Sequence, residues 1–493
     1  MHIEYSSNYC IATEYKREFV DFMINSFGYT FDAPLEEEKN TAIIKGSSGF
    51  FREIGPGLWF YSGFLVDILR GYKEEKITIH TKVVKYSTFN FDFPKFLYKH
   101  QKKALTAIFK NKRGLVQSPT GSGKSFIIAE CVRRFNLEDL SILITVPTIF
   151  LLNQLKEDIH NYYKLCGEEL AEDSIGLIGG GNMDNNISKH KIHIAIPQSL
   201  YKLDKTKDLL NNKDVLIADE VHTTANETYA ICIKESTSNQ IRIGLSATPW
   251  TNDGTDLLLK GFFGNTICKI TEADMINNNV ILEPEFYFYN SPCGFLPKKL
   301  GEFACKVSDL STGHRYKVLN QVYNYLILNN TGRNKMIVDE AINRATPELG
   351  PVIIIVNKVN DTKNKVGHAT VLKTMFESRN KHVKVISGSI KKKDKTEIIQ
   401  GLKNSSLDIV IAGPKVLTAG VNIPSLSTII LAGAGKSDRD LIQRVGRLLR
   451  KKEGKNNPRV IDFIDQQFWF NSQSYKRMNV VKSVYGEKNI YVI

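Results

Sequence analysis

Several features that mark specialised classes of protein are missing from this 493-residue sequence. Its seven cysteines stand singly and form no C-x-x-C pair, so neither a zinc module nor a disulfide framework is indicated. The most apolar run, SILITVPTIFLL, is too short and too interrupted to span a bilayer. The N-terminus, MHIEYSSNYC, has an early acid and no apolar core, unlike a signal peptide. These absences favour a reducing, intracellular location, the cytoplasm (the host cytoplasm for a viral protein), and no membrane partner.

What the sequence has in excess is positive charge. Lys and Arg number 66 against 52 Asp and Glu, which gives a formal net charge of +14. With 42% hydrophobic and 24% charged residues, the composition is otherwise that of a soluble globular protein. The excess favours a polyanionic partner, of which nucleic acid is the commonest, but charge alone does not decide between this partner and an incidentally basic protein.

The chain is long enough for two or three domains. Residues 1–90 indicate a small α+β domain, with helical spacing over 14–27 and strand alternation over 76–84. Short β-branched runs then alternate with helical segments in two successive arrays, which predict two parallel-sheet α/β domains at 91–280 and 281–493. The runs that predict buried strands are 114–118, 141–146, 192–196, 215–219 and 241–246 in the first array, and 286–291, 352–356, 383–387, 408–413, 427–433 and 459–465 in the second.

The first motif with chemical content is SPTGSGKS, which begins at Ser118. It follows a predicted strand and opens a predicted helix, the setting of a phosphate-binding P-loop. Gly121 and Gly123 allow the backbone to curl so that its N–H groups face phosphate oxygens, and the helix N-terminus favours the same anion. Lys124 is then expected on the β- and γ-phosphates of ATP, with the Ser125 hydroxyl on Mg²⁺. Ser118 departs from the strict pattern, which has glycine there.

An acidic pair ends a later hydrophobic strand in VLIADEVH (215–222). The carboxyl ends of parallel strands meet at one edge of a sheet, so Asp219 and Glu220 are expected beside the P-loop. Asp219 can hold the Mg²⁺ shell, and Glu220 can orient and deprotonate the attacking water. Such a pair alone is more often a solvated edge, and it is the P-loop that favours the catalytic interpretation.

A second stretch, LAGAGKSDRD (431–440), imitates a P-loop. It too lies between a predicted strand and a predicted helix, and Asp462 and Asp465 follow in a later strand. The position that should carry the first glycine is Ile430, inside the strand, so the wide phosphate-wrapping loop does not form. We therefore predict a single ATP site per chain.

Taken together, these motifs resemble those of superfamily 2 helicases, and further stretches fit the same family in order. The matching stretches are FLYKHQKKAL (96–105), VPTIFLLNQ (146–154), IAIPQSL (194–200), GLSATP (244–249), VLTAGVNIP (416–424) and QRVGRLLR (443–450). The resemblance covers about residues 91–455. It implies two tandem RecA-like domains that hydrolyse ATP between them and move along a nucleic acid strand.

The resemblance also implies roles for individual residues. Nucleotide contacts fall on Gln101, at the adenine edge, and on Thr120, Gly121, Ser122, Gly123, Lys124, Ser125 and Gly420. Catalytic roles fall on Lys124, Asp219, Glu220, Gln443, Arg447 and Arg450, with Ser125 and Asp219 as metal ligands. Nucleic-acid contact or coupling falls on Pro147, Thr148, Gln198, His222, Ser246, Thr248, Thr418 and Asn422. Pro197 stands where the family usually has Thr, and Asn422 where Asp is common.

The two arginines of QRVGRLLR are expected to act together. Arg447 and Arg450 are three residues apart on a predicted helix and so share a face. The resemblance implies that they reach ATP from the second domain as arginine fingers, which stabilise charge on the transferring phosphoryl group.

DEVH rather than DEAD, and QRVGR rather than HRIGR, point away from the DEAD-box RNA helicases. The core resembles UvsW-like branch-migration helicases and XPB-like helicases, and we expect a monomeric DNA helicase or translocase that uses ATP and Mg²⁺ on forked, branched or R-loop DNA, including RNA in hybrids. An RNA helicase, a duplex translocase within a restriction or remodelling complex, and a nucleotide-regulated binding protein remain alternatives. The stretch 51–69 resembles a substrate-engaging domain, and its Trp59, Phe60 and Tyr61 either stack on bases or fill that domain's core.

Overall fold

The fold is known from a computed structural model. It describes residues 1–6, 9–27, 51–54, 56–73, 77–81, 89, 91–183, 189–202, 206–224, 241–248, 256–360, 366–388, 390–404, 406–416, 423–433 and 438–493. The chain forms two compact units, Met1–Ile270 and Thr271–Ile493, each of which is described by itself below.

The first unit opens with a small, mostly antiparallel sheet covered by two helices. Phe19, Val20 and Met23 are buried on helix α1 (Arg17–Phe27), because their spacing places them on one stripe facing the sheet. Fully burying a side chain of this size contributes about 1.5–3 kcal/mol. Across the sheet the strands are β3 (Phe51–Ile54), β4 (Gly57–Tyr61), β2 (Tyr9–Thr13), β1 (His2–Tyr5) and β5 (Thr78–Thr81), and helix α2 (Leu65–Gly71) follows β4.

The end of this small sheet packs against the helix Asp256–Phe263, which belongs to the parallel-sheet part of the same unit. The ring of Tyr61 lies 5.2 Å from that of Phe262, edge to face. A Cβ atom on Gly63 would lie 2.0 Å from the Lys260 carbonyl oxygen, so only glycine permits this close approach. Of the aromatic run, Phe60 and Tyr61 are therefore core residues, and Trp59 is half-buried.

The main sheet of the first unit has eight strands, seven of them parallel. Strand β7 (Ile142–Thr145) and strand β10 (Ile192–Ala195) are buried along their whole length, as strands with helices on both faces should be. In order across the sheet the strands are β13 (Thr266–Lys269), β6 (Arg113–Gln117), β12 (Ile241–Ser246), β11 (Val215–Asp219), β7, β10, β8 (Ile175–Gly179) and the antiparallel β9 (Asn182–Met183). The helices are α3 (Lys99–Asn111), α4 (Lys124–Leu137), α5 (Ile149–Leu165), α6 (Pro197–Tyr201), α7 (Thr206–Asn211) and α8 (Asp256–Phe263).

The second unit is built on a sheet of seven parallel strands. In order across the sheet they are β16 (Lys384–Ile386), β17 (Ile409–Ala412), β15 (Val352–Ile355), β18 (Thr428–Leu431), β19 (Arg459–Ile464), β14 (Glu285–Asn290) and β20 (Ile490–Val492). The helices are α9 (Glu272–Asn277), α10 (Lys298–Cys305), α11 (Thr312–Tyr323), α12 (Thr331–Arg344), α13 (His368–Glu377), α14 (Lys392–Lys403), α15 (Asp438–Leu448) and α16 (Trp469–Tyr485). The predicted fold class, two parallel-sheet α/β domains preceded by a smaller α+β part, is confirmed.

Between β14 and α12 lies a helical segment, residues 298–328, that the sequence patterns did not reveal. It comprises α10, α11 and a π-helix, Asn324–Leu328, that continues α11. It has a small core of its own, in which Val318, Val322 and Ile327 pack against Phe470 of α16. Among the described residues of the chain, no helix combines the length and apolar character that crossing a bilayer requires.

Candidate nucleotide-binding and catalytic site

The segment SPTGSGKS lies between β6 and α4 and has the backbone of a phosphate-binding loop. Gly121 and Gly123 have positive φ angles of 87° and 76°, a region that glycine enters without steric cost. A Cβ atom on Gly123 would lie 2.4 Å from the Nε2 atom of Gln101, which is closer than side chains tolerate. Lys124 is the first residue of α4, so the loop presents the helix N-terminus to a ligand.

Ser118, the departure from the strict P-loop pattern, is accommodated by hydrogen bonds. Its side chain is fully buried, and its hydroxyl donates to the Ser122 hydroxyl over 2.6 Å. Its backbone N–H donates to the carbonyl of Ser246 over 2.9 Å. A buried hydroxyl is costly only when it lacks a partner, so serine is tolerated where the pattern has glycine.

The acidic pair lies at the end of β11, where Asp219 is the last residue of the strand, and it faces the P-loop lysine. The Lys124 ammonium lies 3.4 Å from the Glu220 carboxylate, and it also donates to the Ser118 carbonyl over 3.3 Å. Glu220 has a φ of 48°, and its backbone N–H donates to the Asp219 carboxylate over 2.9 Å. A non-glycine residue in this left-handed region stores conformational strain, which is typical of residues held for a function.

The surroundings of Asp219 disfavour its ionised form and raise its pKa. Burial and the neighbouring Glu220 carboxylate raise this pKa from 3.8 to about 7, and Lys124 offsets only part of the rise. A divalent cation would favour the ionised form of Asp219, so the donor set fits Mg²⁺. Among the described residues, no group of three or more His, Cys, Asp or Glu side chains is placed to hold a metal ion.

The hydroxyl of Ser125, the second predicted metal ligand, is hydrogen-bonded to the side chain of Asp158 on α5. Gln154, one turn earlier on α5, donates to the same carboxylate over 3.5 Å. Burial raises the pKa of Asp158, and these two hydrogen bonds oppose the rise. No sequence motif marks Asp158, because it lies inside an ordinary amphipathic helix and only the packing of α5 on α4 brings it to the P-loop.

A line of polar contacts connects the acidic pair to the end of β12. The ring of His222 lies 3.4 Å from the Glu220 carboxylate and 2.8 Å from the Ser246 hydroxyl. The Ser246 oxygen also accepts the backbone N–H of Thr248 over 3.1 Å. The Thr248 hydroxyl is buried and has no hydrogen-bond partner among the described residues. Four of the predicted residues, Glu220, His222, Ser246 and Thr248, thus form one connected set with Lys124.

Gln101, predicted at the adenine edge, lies against the P-loop. Its amide nitrogen donates to the carbonyls of Ser122 (3.2 Å) and Gly123 (3.4 Å), and its amide oxygen accepts the Tyr98 N–H over 2.9 Å. The ring of His100 also contacts the Ser122 carbonyl, at 2.8 Å. These hydrogen bonds hold the backbone of the P-loop in place through the carbonyls of Ser122 and Gly123. The contact of Gln101 with adenine stays a prediction.

The predicted nucleic-acid contacts of the first unit lie at the same edge of the sheet as the P-loop. Pro147 and Thr148 follow β7, and the Thr148 hydroxyl accepts the N–H of Leu151 and caps α5. Gln198 is exposed on α6, which starts at Pro197 after β10. Since β7 and β10 run parallel to β11, their carboxyl ends share its edge.

In the second unit, α15 carries Gln443 and Arg447, both half-buried. The helix ends at Leu448, so Arg450 lies beyond it. Contrary to the sequence prediction, Arg447 and Arg450 therefore do not lie on one face of a single helix. Burial lowers the pKa of Arg450. The ammonium of Lys455 donates to the carbonyls of Leu448 and Arg450, over 2.6 and 3.1 Å, and closes the end of the helix. The predicted residues Thr418, Gly420 and Asn422 lie outside the described residues, as does the GAGKS lysine, Lys436.

The two carboxylates that follow the GAGKS stretch are both paired with buried arginines. Asp465 accepts from Arg333 over 2.7 and 3.2 Å, and Asp462 accepts from Arg477 over 2.7 and 2.9 Å. Bidentate pairs of this kind use the lone pairs that a metal would need. Neither carboxylate is therefore free to complete a second ATP site.

Comparison with known proteins gives the family. Residues 95–251 match the family described as "Type III restriction enzyme, res subunit", and residues 333–452 match "Helicase conserved C-terminal domain". The chain belongs to the superfamily 2 helicases. The family implies ATP use, typically with Mg²⁺, and ATP-driven unwinding of nucleic acid.

Three relatives of this helicase are similar over most of its length. It is 27% identical to the candidate helicase 22 of Sulfolobus islandicus filamentous virus (isolate Iceland/Hveragerdi), over 76% of this chain and 64% of that protein. It is 25% identical to the DNA 3'-5' translocase XPB2 of Sulfurisphaera tokodaii, over 78% and 86%. It is 22% identical to the ATP-dependent DNA helicase uvsW of Enterobacteria phage T4, over 74% and 68%. The chain thus spans slightly less than two thirds of the viral relative.

Solved structures support the RecA-like helicase fold of the chain. The Type ISP restriction-modification enzyme LlaBIII bound to DNA matches with a TM-score of 0.57 and 16% identity, over 84% of this helicase and 33% of that chain. Dbp5 of S. cerevisiae, bound to RNA and ADP BeF3, matches with a TM-score of 0.52 and 17% identity, over 80% and 89%.

Proposed function

We propose that this chain is an ATP-dependent DNA helicase or translocase that remodels forked, branched or R-loop DNA. The observation that carries the proposal is the line of contacts from Lys124 through Glu220 and His222 to Ser246. It joins the proposed phosphate site to the segment after β12. A change at the nucleotide can therefore alter how the strand-gripping residues are held.

The proposed chemistry is hydrolysis of the terminal phosphate of ATP. Lys124 and the loop N–H groups hold the phosphates, and Glu220 orients the attacking water and takes its proton. Mg²⁺, held by Ser125 and Asp219, neutralises charge on the phosphate oxygens when it is bound. Asp158 accepts from the Ser125 hydroxyl and keeps the oxygen lone pairs of Ser125 turned away from α5.

The second unit supplies the groups that complete the site in this proposal. Gln443, Arg447 and Arg450 stabilise the charge that develops on the transferring phosphoryl group. We also propose the division into an N-terminal substrate-engaging domain (1–90), a P-loop domain (91–280) and an arginine-bearing domain (281–493), acting as a monomer in the cytoplasm.

DNA is proposed as the substrate because two of the relatives are named for it, one as a DNA translocase and one as a DNA helicase. The net charge of +14 suits any nucleic acid and does not distinguish DNA from RNA. A second candidate is a motor that moves along duplex DNA without separating its strands. The match of residues 95–251 to a restriction-enzyme subunit favours this candidate.

Replacing the proposed base tests the chemistry. In Glu220→Gln the side chain keeps its shape and loses its basicity, so we expect DNA-stimulated ATP hydrolysis to fall by at least about 100-fold while ATP still binds. The measurement is phosphate release with fluorescent-ATP binding in parallel, and Glu172→Gln, at an exposed site of the same unit, is the control. Hydrolysis at the wild-type rate in Glu220→Gln would refute the assignment.

The substrate is tested with a panel of labelled nucleic acids: single strand, duplex, fork, four-way junction and R-loop, each also made in RNA where possible. Unwinding of forks, junctions or R-loops supports the helicase. Duplex-stimulated hydrolysis without strand displacement supports the duplex motor. Stimulation by RNA far above every DNA contradicts both and indicates an RNA helicase.

A further inference from the structure

Three side chains, from α11, α12 and the loop after β15, hold the two residues that follow β18. The Ala432 carbonyl accepts from the Arg333 guanidinium over 2.8 Å. The Gly433 carbonyl accepts from the Tyr323 hydroxyl over 3.0 Å and from the Asn357 amide over 2.5 Å. Backbone carbonyls past the end of a parallel strand usually face a ligand or water, and these are bound by the protein itself.

Gly433 is packed too tightly for any larger residue. A Cβ atom there would lie 2.8 Å from the Asn357 side-chain oxygen and 2.9 Å from the Asn357 backbone nitrogen. The position of Gly433 is therefore fixed both by its hydrogen bonds and by its packing. Helix α15, which carries Arg447, begins at Asp438 and packs against β18, the strand that Ala432 and Gly433 directly follow.

Tyr323 brings the helical segment 298–328 to the same point. It is the last residue of α11, and the next residue, Asn324, begins the π-helix. Such irregular turns often mark functional positions, since they redirect the side chains that follow. The Lys358 ammonium lies 4.9 Å from the centre of the Tyr323 ring and donates to the Asn324 side chain over 2.5 Å. Burial raises the pKa of Tyr323 above its ordinary value.

We propose that Tyr323 is a positioning residue: through the Gly433 carbonyl it sets the position of α15 and hence of the proposed arginine fingers, and it makes their alignment depend on the helical segment 298–328. This inference rests on the proposed function, because Arg447 must act on ATP for its position to matter. Tyr323 itself touches neither nucleotide nor nucleic acid in this proposal.

The test is Tyr323→Phe in the full-length chain, which removes one hydroxyl and keeps the ring. Losing the bond to the Gly433 carbonyl, and the hydrogen bonds that the same hydroxyl makes with Asn357, should lower the DNA-stimulated kcat roughly 3- to 10-fold and leave the KM for ATP within about twofold. The variant should bind ADP normally and ADP–beryllium fluoride more weakly, because only the latter engages the fingers. The matched control is Tyr325→Phe, two residues along, whose side chain is 41% exposed. It should behave as the wild type, and both variants should unfold within about 4 °C of it.

A double-mutant cycle separates positioning from general destabilisation. If Tyr323 acts through the fingers, Tyr323→Phe should have little further effect on kcat in an Arg447→Lys background. Independent, multiplicative losses in the two backgrounds would overturn the inference. So would an unchanged kcat in Tyr323→Phe, or an equal loss in Tyr325→Phe.

Failure of this inference is distinguishable from failure of the proposed function. If Arg447→Ala hydrolyses ATP as well as the wild type, the arginine-finger assignment fails and this inference fails with it. If Arg447→Ala is inactive and Tyr323→Phe matches the wild type in every assay, only this inference fails.

Discussion

The chain contains two strand–loop–helix segments that look alike in sequence and differ in what surrounds them. Around SPTGSGKS the structure gathers the carboxylates of Asp219 and Glu220, and burial together with the second carboxylate raises the pKa of Asp219. Around the end of β18 it gathers cations and donors: Arg333 on the Ala432 carbonyl, with Tyr323 and Asn357 on that of Gly433. The carboxylates beside the P-loop can bind a cation and, through it, phosphates. The carbonyls of Ala432 and Gly433 already accept hydrogen bonds from side chains of the protein.

The difference shows that a loop sequence becomes a nucleotide site only with the correct neighbours. Asp219 is the last residue of the parallel strand β11 and Asp465 directly follows the parallel strand β19, so sequence patterns treat them alike. Asp465 accepts two bonds from Arg333 and one from the Ser291 hydroxyl over 2.8 Å, which makes it a structural group. Asp219 accepts a backbone N–H and retains capacity for a metal.

The largest effect expected is the contrast between these two aspartates. Asp465→Asn leaves the buried Arg333 without its counter-charge, so the free energy of unfolding should fall by about 3–5 kcal/mol. Asp219→Asn should not lower the free energy of unfolding, because the raised pKa means that the buried negative charge is unfavourable in the fold. The same substitution should abolish Mg²⁺-dependent hydrolysis. Calorimetric unfolding and phosphate release measure the two properties. A stable Asp465→Asn that loses Mg²⁺-dependent nucleotide binding would reverse the comparison.

The two loop lysines give the next contrast. Lys124→Ala should weaken ATP hydrolysis by at least about 100-fold and leave no ATP bound at micromolar concentration, because Lys124 is the proposed phosphate ligand. Lys436→Ala, its counterpart in GAGKS, should still bind one ATP per chain. Equilibrium dialysis with labelled ATP counts the bound molecules. Two molecules on the wild type and one on each variant would mean that the chain has two sites.

The smallest effect concerns the departure from the P-loop pattern. Ser118→Gly restores the strict motif but removes the hydrogen bond to Ser122, so stability should fall by about 1 kcal/mol. Hydrolysis should stay within about threefold of the wild type, since the loop backbone depends on Gly121 and Gly123. The measurements are denaturant unfolding and steady-state turnover, with Ser122→Ala as the control that removes the same bond from the other side. A large gain in turnover would show that Ser118 restricts the loop.

Much of the fold was predictable because its strands are short, β-branched and buried on both faces. The run IRIGLS, for example, is strand β12 over its whole length. Strand β8 and the helical segment 298–328 were missed. The apolar residues of β8 are interrupted by glycines. The segment 298–328 makes its own small core against α16, a contact that no local pattern predicts.

The candidate site was predictable to the extent that its residues are adjacent in sequence. The P-loop, the acidic pair and Ser246 were identified from motifs, and the contacts that join them need only the order of the strands. The sequence did not reveal Asp158, Tyr323 or Lys455, because none of them lies in a recognisable motif. Asp158 contacts the P-loop, and the other two contact residues at or near the ends of α15. The end of α15 before Arg450 was also not evident, since the sequence LLRKK continues the helical pattern.

By itself the sequence determined the fold class, the phosphate-binding loop, the acidic pair and the membership of a helicase superfamily. These depend on local periodicity and on glycine and lysine at fixed spacing, which act over a few residues. Only the tertiary structure decided that Asp462 and Asp465 are bound by arginines. It also decided that Asp158 is hydrogen-bonded to Ser125, and that the Gly433 carbonyl accepts from Tyr323 and Asn357. Pairing of buried charges and hydrogen-bonding groups depends on which elements pack together, and that is a property of the whole unit.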